Sequence, residues 1–150
     1  SEKQRENIYT AAFLHDIGKV DIPSEILNRP GNLSALEMEL IRKHVRTGHE
    51  IVKPIPFDPV VAEAILQHHE RWNGSGYPAG LKGEEILLEA RILAVADVVE
   101  AMSSHRPYRP ARGIEAALQE LRDNCGVLYD ARVAKACIDL FRKKNFVFGF

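Results

Sequence analysis

Six side chains of this 150-residue chain could bind metal, and each stands where the helical period calls for an apolar residue. His15 follows Ala11 by four positions and Ile8 by seven, and Asp16 follows Ala12 by four, so both extend an apolar face. His44 follows Ile41 and Leu40 at three and four, His68 follows Ile65 and Val61, and His69 lies one step further round. Asp97 follows Leu93 and Ala94 in the same manner. Each residue alone has an ordinary explanation, as a hydrogen-bonded core histidine or an aspartate that caps a helix or pairs with a base. Together they do not. Burying these groups without partners costs several kcal/mol per charge, against a total stability of about 5–15 kcal/mol. A bound cation gives every lone pair a partner. Six ligands exceed the three that a catalytic zinc takes from protein, so two metals are expected, and imidazole with carboxylate suits iron, manganese or zinc.

The stretch HHERWNGSGYPAG, residues 68–80, sets two of these imidazoles against an acid and a turn-rich loop. Adjacent histidines leave a helix in different directions, while glycines remove the side chains that keep a ligand from the backbone. Such a pairing suits a metal site that opens onto a substrate. By itself GSGYPAG is only a turn sequence. Glu70 is either a partner of a ligand histidine or a helix-end acid.

The elements that must carry these residues are all helical, because apolar residues recur at three and four and no segment alternates with period two. The spacing predicts helices over 3–17, 34–52, 58–72, 89–104, 113–123 and 130–143. Ser34 with Glu37 reads as a capping box, Asp58 with Pro59 as an N-cap and first helical position, and Asp130 as the cap of the last helix. The fold expected is an all-α bundle of six or seven helices in one domain over 1–150. The tail NFVFGF is apolar and belongs against the core or a partner. With 20 basic and 21 acidic residues, a net charge of −1 and 45% hydrophobic residues, the composition argues against both disorder and a surface for polymeric nucleic acid. Cys125 and Cys137 fit neither a redox pair nor a zinc knuckle and read as apolar fillers in a reducing compartment. No run is long enough to span a bilayer and no leader opens the chain, so a cytoplasmic location is expected.

Four blocks, HDIGKVDIP at 15–23, HVRTG at 44–48, HHERWNGSGYP at 68–78 and RILAVADVVEAMSSHRPYR at 91–109, together resemble the HD-GYP phosphodiesterases, a branch of the HD superfamily of metal-dependent phosphohydrolases. The resemblance covers nearly the whole chain. It implies a helical bundle holding two iron or manganese ions, in some members three, and hydrolysis of cyclic di-GMP to linear pGpG, with further cleavage to GMP left open. It implies His15, Asp16, His44, His68, His69 and Asp97 as metal ligands, with Asp16 bridging. Lys19 matches a lysine near the scissile phosphate, Gly74, Gly76, Tyr77 and Pro78 form the signature loop, and Arg106 and Arg109 match positions that meet the other phosphate or a guanine.

Two departures bear on this expectation. Asn73 stands where the family usually has Asp, keeping shape and hydrogen bonding while losing a charge. The family also takes a further metal-ligating histidine from a helix upstream, whereas fourteen residues precede His15 here and none is histidine. The resemblance therefore predicts a domain lacking its first helix, with one metal site incomplete. An upstream receiver or sensor domain, signalling-protein partners and a homodimer are left open. The competing functions are a degenerate module that senses the nucleotide or binds protein without turnover, and a phosphohydrolase acting on another nucleotide, against which the GYP loop speaks.

Overall fold

A computed structural model of the chain describes residues 1–104, 112–143 and 146. Its described helices are α1 (Glu2–Leu14), the single turn α2 (Ser24–Leu27), α3 (Ala35–Arg42), α4 (His44–Val52), α5 (Pro59–Gln67), α6 (Leu88–Ser103), α7 (Ile114–Asp123) and α8 (Ala131–Lys143). Short 3-10 turns cover Ile17–Asp21 and Gly83–Glu85. No strand forms among the described residues, so the all-α expectation holds, with seven helices of two turns or more.

The caps act as their residue types require. The Ser34 hydroxyl accepts from the Glu37 N–H while the Glu37 carboxylate accepts from the Ser34 N–H, completing the capping box. Asp58 accepts from Val60 N–H ahead of Pro59, and Asp130 accepts from Arg132 N–H at the start of α8.

Three expected helices are shorter than their apolar period suggests. α1 stops at Leu14 rather than residue 17, the 34–52 segment breaks at Lys43, and α5 stops at Gln67 rather than near Trp72. The first stop has a steric cause. A Cβ on Gly18 would lie 2.0 Å from the His44 carbonyl oxygen and 2.5 Å from the Gly48 nitrogen, so the Ile17–Asp21 turn packs directly on the backbone of α4.

The interior falls into two clusters strung along α6. Ala11, Val52, Val61, Ala64, Ile65, Ala90 and Leu93 join α1, α4 and α5 to its first half. Val95, Val99, Ala117, Leu121 and Ala134 join its second half to α7 and α8, with half-buried Cys125 and Cys137 at the edge as apolar fillers. Among the described residues no helix is long and apolar enough to cross a membrane.

Candidate metal centre

Each of the three interruptions sets a histidine just past a helix end: His15 follows α1, His44 lies two residues beyond α3 and His68 follows α5. The last carbonyls of a helix lack an intrahelical donor. His15 Nδ1 lies 2.7 Å from the Ala12 carbonyl, His44 Nδ1 2.6 Å from Ile41 and His68 Nδ1 2.7 Å from Ile65. Each of these carbonyls belongs to the final turn of α1, α3 or α5. A carbonyl only accepts, so the proton of each neutral ring sits on Nδ1 and the lone pair on Nε2. Helix ends thus orient three imidazoles and leave the same nitrogen of each free to bind.

Those nitrogens point at one another. His44, His68 and His69 place ligand atoms within 4.8 Å of one another, and so do His15, Asp16 and His68. Atoms that share an ion at about 2.0–2.3 Å lie no more than about 4.6 Å apart, so both groups are within a small side-chain adjustment of binding distance. His68 is common to the two. Asp16 faces both ways, with Oδ2 3.5 Å from His15 Nε2 and Oδ1 3.7 Å from His44 Nε2. Asp97, projecting from the middle of α6, sets Oδ1 3.7 Å from His15 Nε2. All six residues singled out by their misplaced polarity therefore meet at one place.

Two atoms there lack a hydrogen bond. The Nε2 atoms of His44 and His68 are buried and have no hydrogen-bond partner. A buried acceptor without a partner costs about 1–3 kcal/mol, and a cation removes that cost. The donor set fits a metal.

The electrostatics agree. Burial, helped by the charges of His15 and His44, brings the His68 imidazole down to about 4. Burial and the neighbouring His68 bring His69 to about 2, and burial also lowers His44. His15 goes the other way: burial disfavours its charged form, but the facing Asp97, the Ala12 carbonyl and Asp16 outweigh it and raise the pKa. Burial would raise Asp97, yet His15, His69 and His68 overcome it and hold the carboxyl at about 2. The centre thus presents an anionic carboxylate from Asp97 and lone pairs from its most buried rings, the state a cation requires.

Around this centre, Lys19 Nζ sits 2.6 Å from Asp16 Oδ2. Tyr77 stacks on the His69 ring with centroids 4.9 Å apart, and its N–H donates to the His69 carbonyl. The Arg42 guanidinium lies 5.2 Å from the Tyr77 ring centre, and Arg46 reaches the Pro78 carbonyl at 3.5 Å. Neither arginine stands out in the sequence, because both read as solvated charges on a polar helix face. Arg106 and Arg109 lie outside the described residues.

The glycines of the loop have a packing reason that spacing alone does not reveal. A Cβ on Gly76 would lie 2.4 Å from the Arg71 nitrogen and 2.5 Å from the His69 carbonyl oxygen, so the loop folds back on the end of α5. Gly74 takes a φ of +82°, which side chains rarely adopt. Glu70, 2% exposed, anchors the return: its carboxylate accepts from the N–H groups of Ala79, Gly80 and Leu81. That is neither of the roles expected for it. Asn73 Oδ1 accepts from Ser75 N–H and hydroxyl, bonds that an aspartate oxygen would make equally well.

The model of the HD domain family matches residues 1–133. Among curated proteins, the cyclic di-GMP phosphodiesterase response regulator RpfG of Xanthomonas campestris pv. campestris is 47% identical over 141 residues, covering 93% of this chain and 36% of the relative. A cyclic di-GMP phosphodiesterase of Thermotoga maritima is 44% identical over 135 residues, covering 89% and 37%. The chain thus spans little more than a third of the length of these relatives. A cyclic GMP-AMP specific phosphodiesterase structure from V. cholerae superposes with a TM-score of 0.70 at 23% identity, covering 97% of this chain and 40% of that one. Bd1817 of Bdellovibrio bacteriovorus gives 0.71 at 22%, covering 91% and 43%. At these identities the two structures speak for the fold.

Proposed function

This chain belongs to the HD domain family, in its HD-GYP branch, and from that premise we propose that it hydrolyses cyclic di-GMP to linear pGpG, and onward to GMP, with two iron or manganese ions. The observation that carries the reading is the pair of buried, partnerless Nε2 atoms of His44 and His68, with tautomers set by helix-end carbonyls. His44, His68, His69 and Asp16 would hold one ion, and His15, Asp97 and the second oxygen of Asp16 the other. When bound, the ions supply an activated water and charge neutralisation for in-line displacement at phosphorus.

The chain's own residues do the rest. The Nδ1–H bonds of His15, His44 and His68 hold the rings so that binding requires only a small adjustment. Lys19, beside Asp16, is placed to hold a non-bridging oxygen of the scissile phosphate, where charge grows as the bond breaks. Gly74, Gly76, Tyr77 and Pro78 form the adjoining wall for the dinucleotide, and Arg106 and Arg109 are assigned to its second phosphate or a guanine.

Because the resemblance leaves one metal site a histidine short, incubating the purified chain with Mn2+ or anaerobic Fe2+ and cyclic di-GMP, and separating nucleotides by chromatography, should show pGpG accumulating slowly. Asp16→Asn should abolish it. Intact cyclic di-GMP after prolonged incubation, with both sites shown to be loaded by elemental analysis, would overturn the reading, and turnover of cyclic GMP-AMP alone would move the substrate.

A further inference from the structure

Three of the four clustered histidines owe their orientation to a helix-end carbonyl, and the fourth does not. His69 stands one residue beyond the C-cap of α5. No carbonyl takes its ring nitrogen among the described residues, and its own carbonyl is occupied by the Tyr77 N–H at 3.2 Å. Its ring is half-buried and faces His44 at 5.1 Å and His68 at 4.1 Å between centroids. What lies along its flat face is Tyr77, 28° from parallel. The guanidinium of Arg42, from the last residue of α3, lies over the Tyr77 ring.

We propose that Tyr77, clamped by Arg42, is the positioning residue for His69, holding that imidazole in its metal-binding orientation as the carbonyls of Ala12, Ile41 and Ile65 hold the other three. The proposal rests on the reading of His69 as a ligand, and it gives the tyrosine a task distinct from lining the substrate wall. Three observations support it. The stack is the principal restraint on the one ring without a hydrogen bond. The loop that delivers Tyr77 is itself fixed, by three N–H groups on the buried Glu70 carboxylate and by the close seat of Gly76 on the His69–Arg71 backbone. A guanidinium over an aromatic face is attractive, so Arg42, from another element, helps to hold the tyrosine ring in place beside the histidine.

The test is calorimetric titration of the chelator-stripped chain with Mn2+, without substrate, for the wild type and for His69→Ala, Tyr77→Leu, Tyr77→Phe, Arg42→Met and the double variant His69→Ala/Tyr77→Leu. His69→Ala should weaken one site by about 100-fold or more. Tyr77→Leu should weaken the same site about 10–100-fold, the range for losing the group that orients a ligand. Tyr77→Phe keeps the ring and should stay within about threefold, Arg42→Met should fall between the two, and the double variant should be no weaker than His69→Ala. Wild-type affinity in His69→Ala would remove His69 from the ligand set and the proposal with it. A weakened His69→Ala beside an unchanged Tyr77→Leu would overturn the proposal alone and leave Tyr77 a substrate contact, read as a raised KM. Additive losses in the double variant would also overturn it, as general loosening. Should Tyr77→Leu fail to fold by circular dichroism, Arg42→Met, on another element, decides: unchanged affinity there would overturn the clamp.

Discussion

The histidines are where residue chemistry and helix geometry meet, and only the first of these was legible in the sequence. Imidazoles at apolar positions announced a metal centre because nothing else makes four of them affordable in an interior. The period that singled them out runs past the true helix ends, however, so His15, His44 and His68 instead lie just past C-terminal turns whose carbonyls accept from Nδ1. A spacing argument sees which residue is out of place and not which nitrogen it offers. The geometry makes Asp16 the residue shared by the two sides, its oxygens 3.5 Å from His15 Nε2 and 3.7 Å from His44 Nε2. Asp16→Ala, which removes the carboxylate assigned to both ions, should therefore depress binding at both sites, whereas His15→Ala should depress one. Manganese titration with elemental analysis reads the difference, and equal loss in the two variants would contradict the shared role. The donors also differ, three imidazoles on one side against His15, Asp97 and half of Asp16 on the other. Wild-type titration should consequently resolve two affinities rather than one.

At the scale of elements, caps were legible and interruptions were not. Ser34, Asp58 and Asp130 satisfy helix N-termini through local hydrogen bonds that short motifs encode. The early end of α1 goes with Gly18 lying against α4, a contact between segments that no local pattern describes. The GYP loop shows the same division. Its glycines mark a turn, but that the turn folds back on residues 69–71 and hangs from Glu70 is tertiary information. Glu70→Ala would strand three N–H groups that now bond to a buried carboxylate, and charge-assisted bonds contribute about 1.5–3 kcal/mol each without full additivity. We expect a loss of about 3 kcal/mol in urea unfolding of the metal-free chain, and a further loss of metal affinity as His69 loosens. Gly76→Ala should cost about 1–3 kcal/mol, because a Cβ 2.4 Å from a backbone nitrogen can be accommodated only by moving the loop. A Gly76→Ala chain with wild-type stability would mean that the loop is free to swing.

The whole molecule is two packed halves sharing α6, and one buried carboxylate ties the half remote from the metal centre to that helix. Asp130, 3% exposed, caps α8, receives Arg91 of α6 at 2.8 Å and pairs with Arg132. Burial alone would raise its pKa, but the hydrogen bonds from Arg132 and Arg91 prevail and lower it from 3.8 to about 2. Between those two values the unfolded chain binds a proton that the folded chain does not, so stability must fall as pH falls through that interval. The contribution is complete above about pH 4 and gone below about pH 2. Asp130→Asn removes the charge at every pH. The stability gap between wild type and variant, measured by urea unfolding with chelator present so that metal release does not contribute, should be wide near neutrality and close between pH 4 and pH 2. A gap that stays constant on acidification would show that Asp130 acts by packing and capping alone, and that the two halves are joined along α6 without its charge.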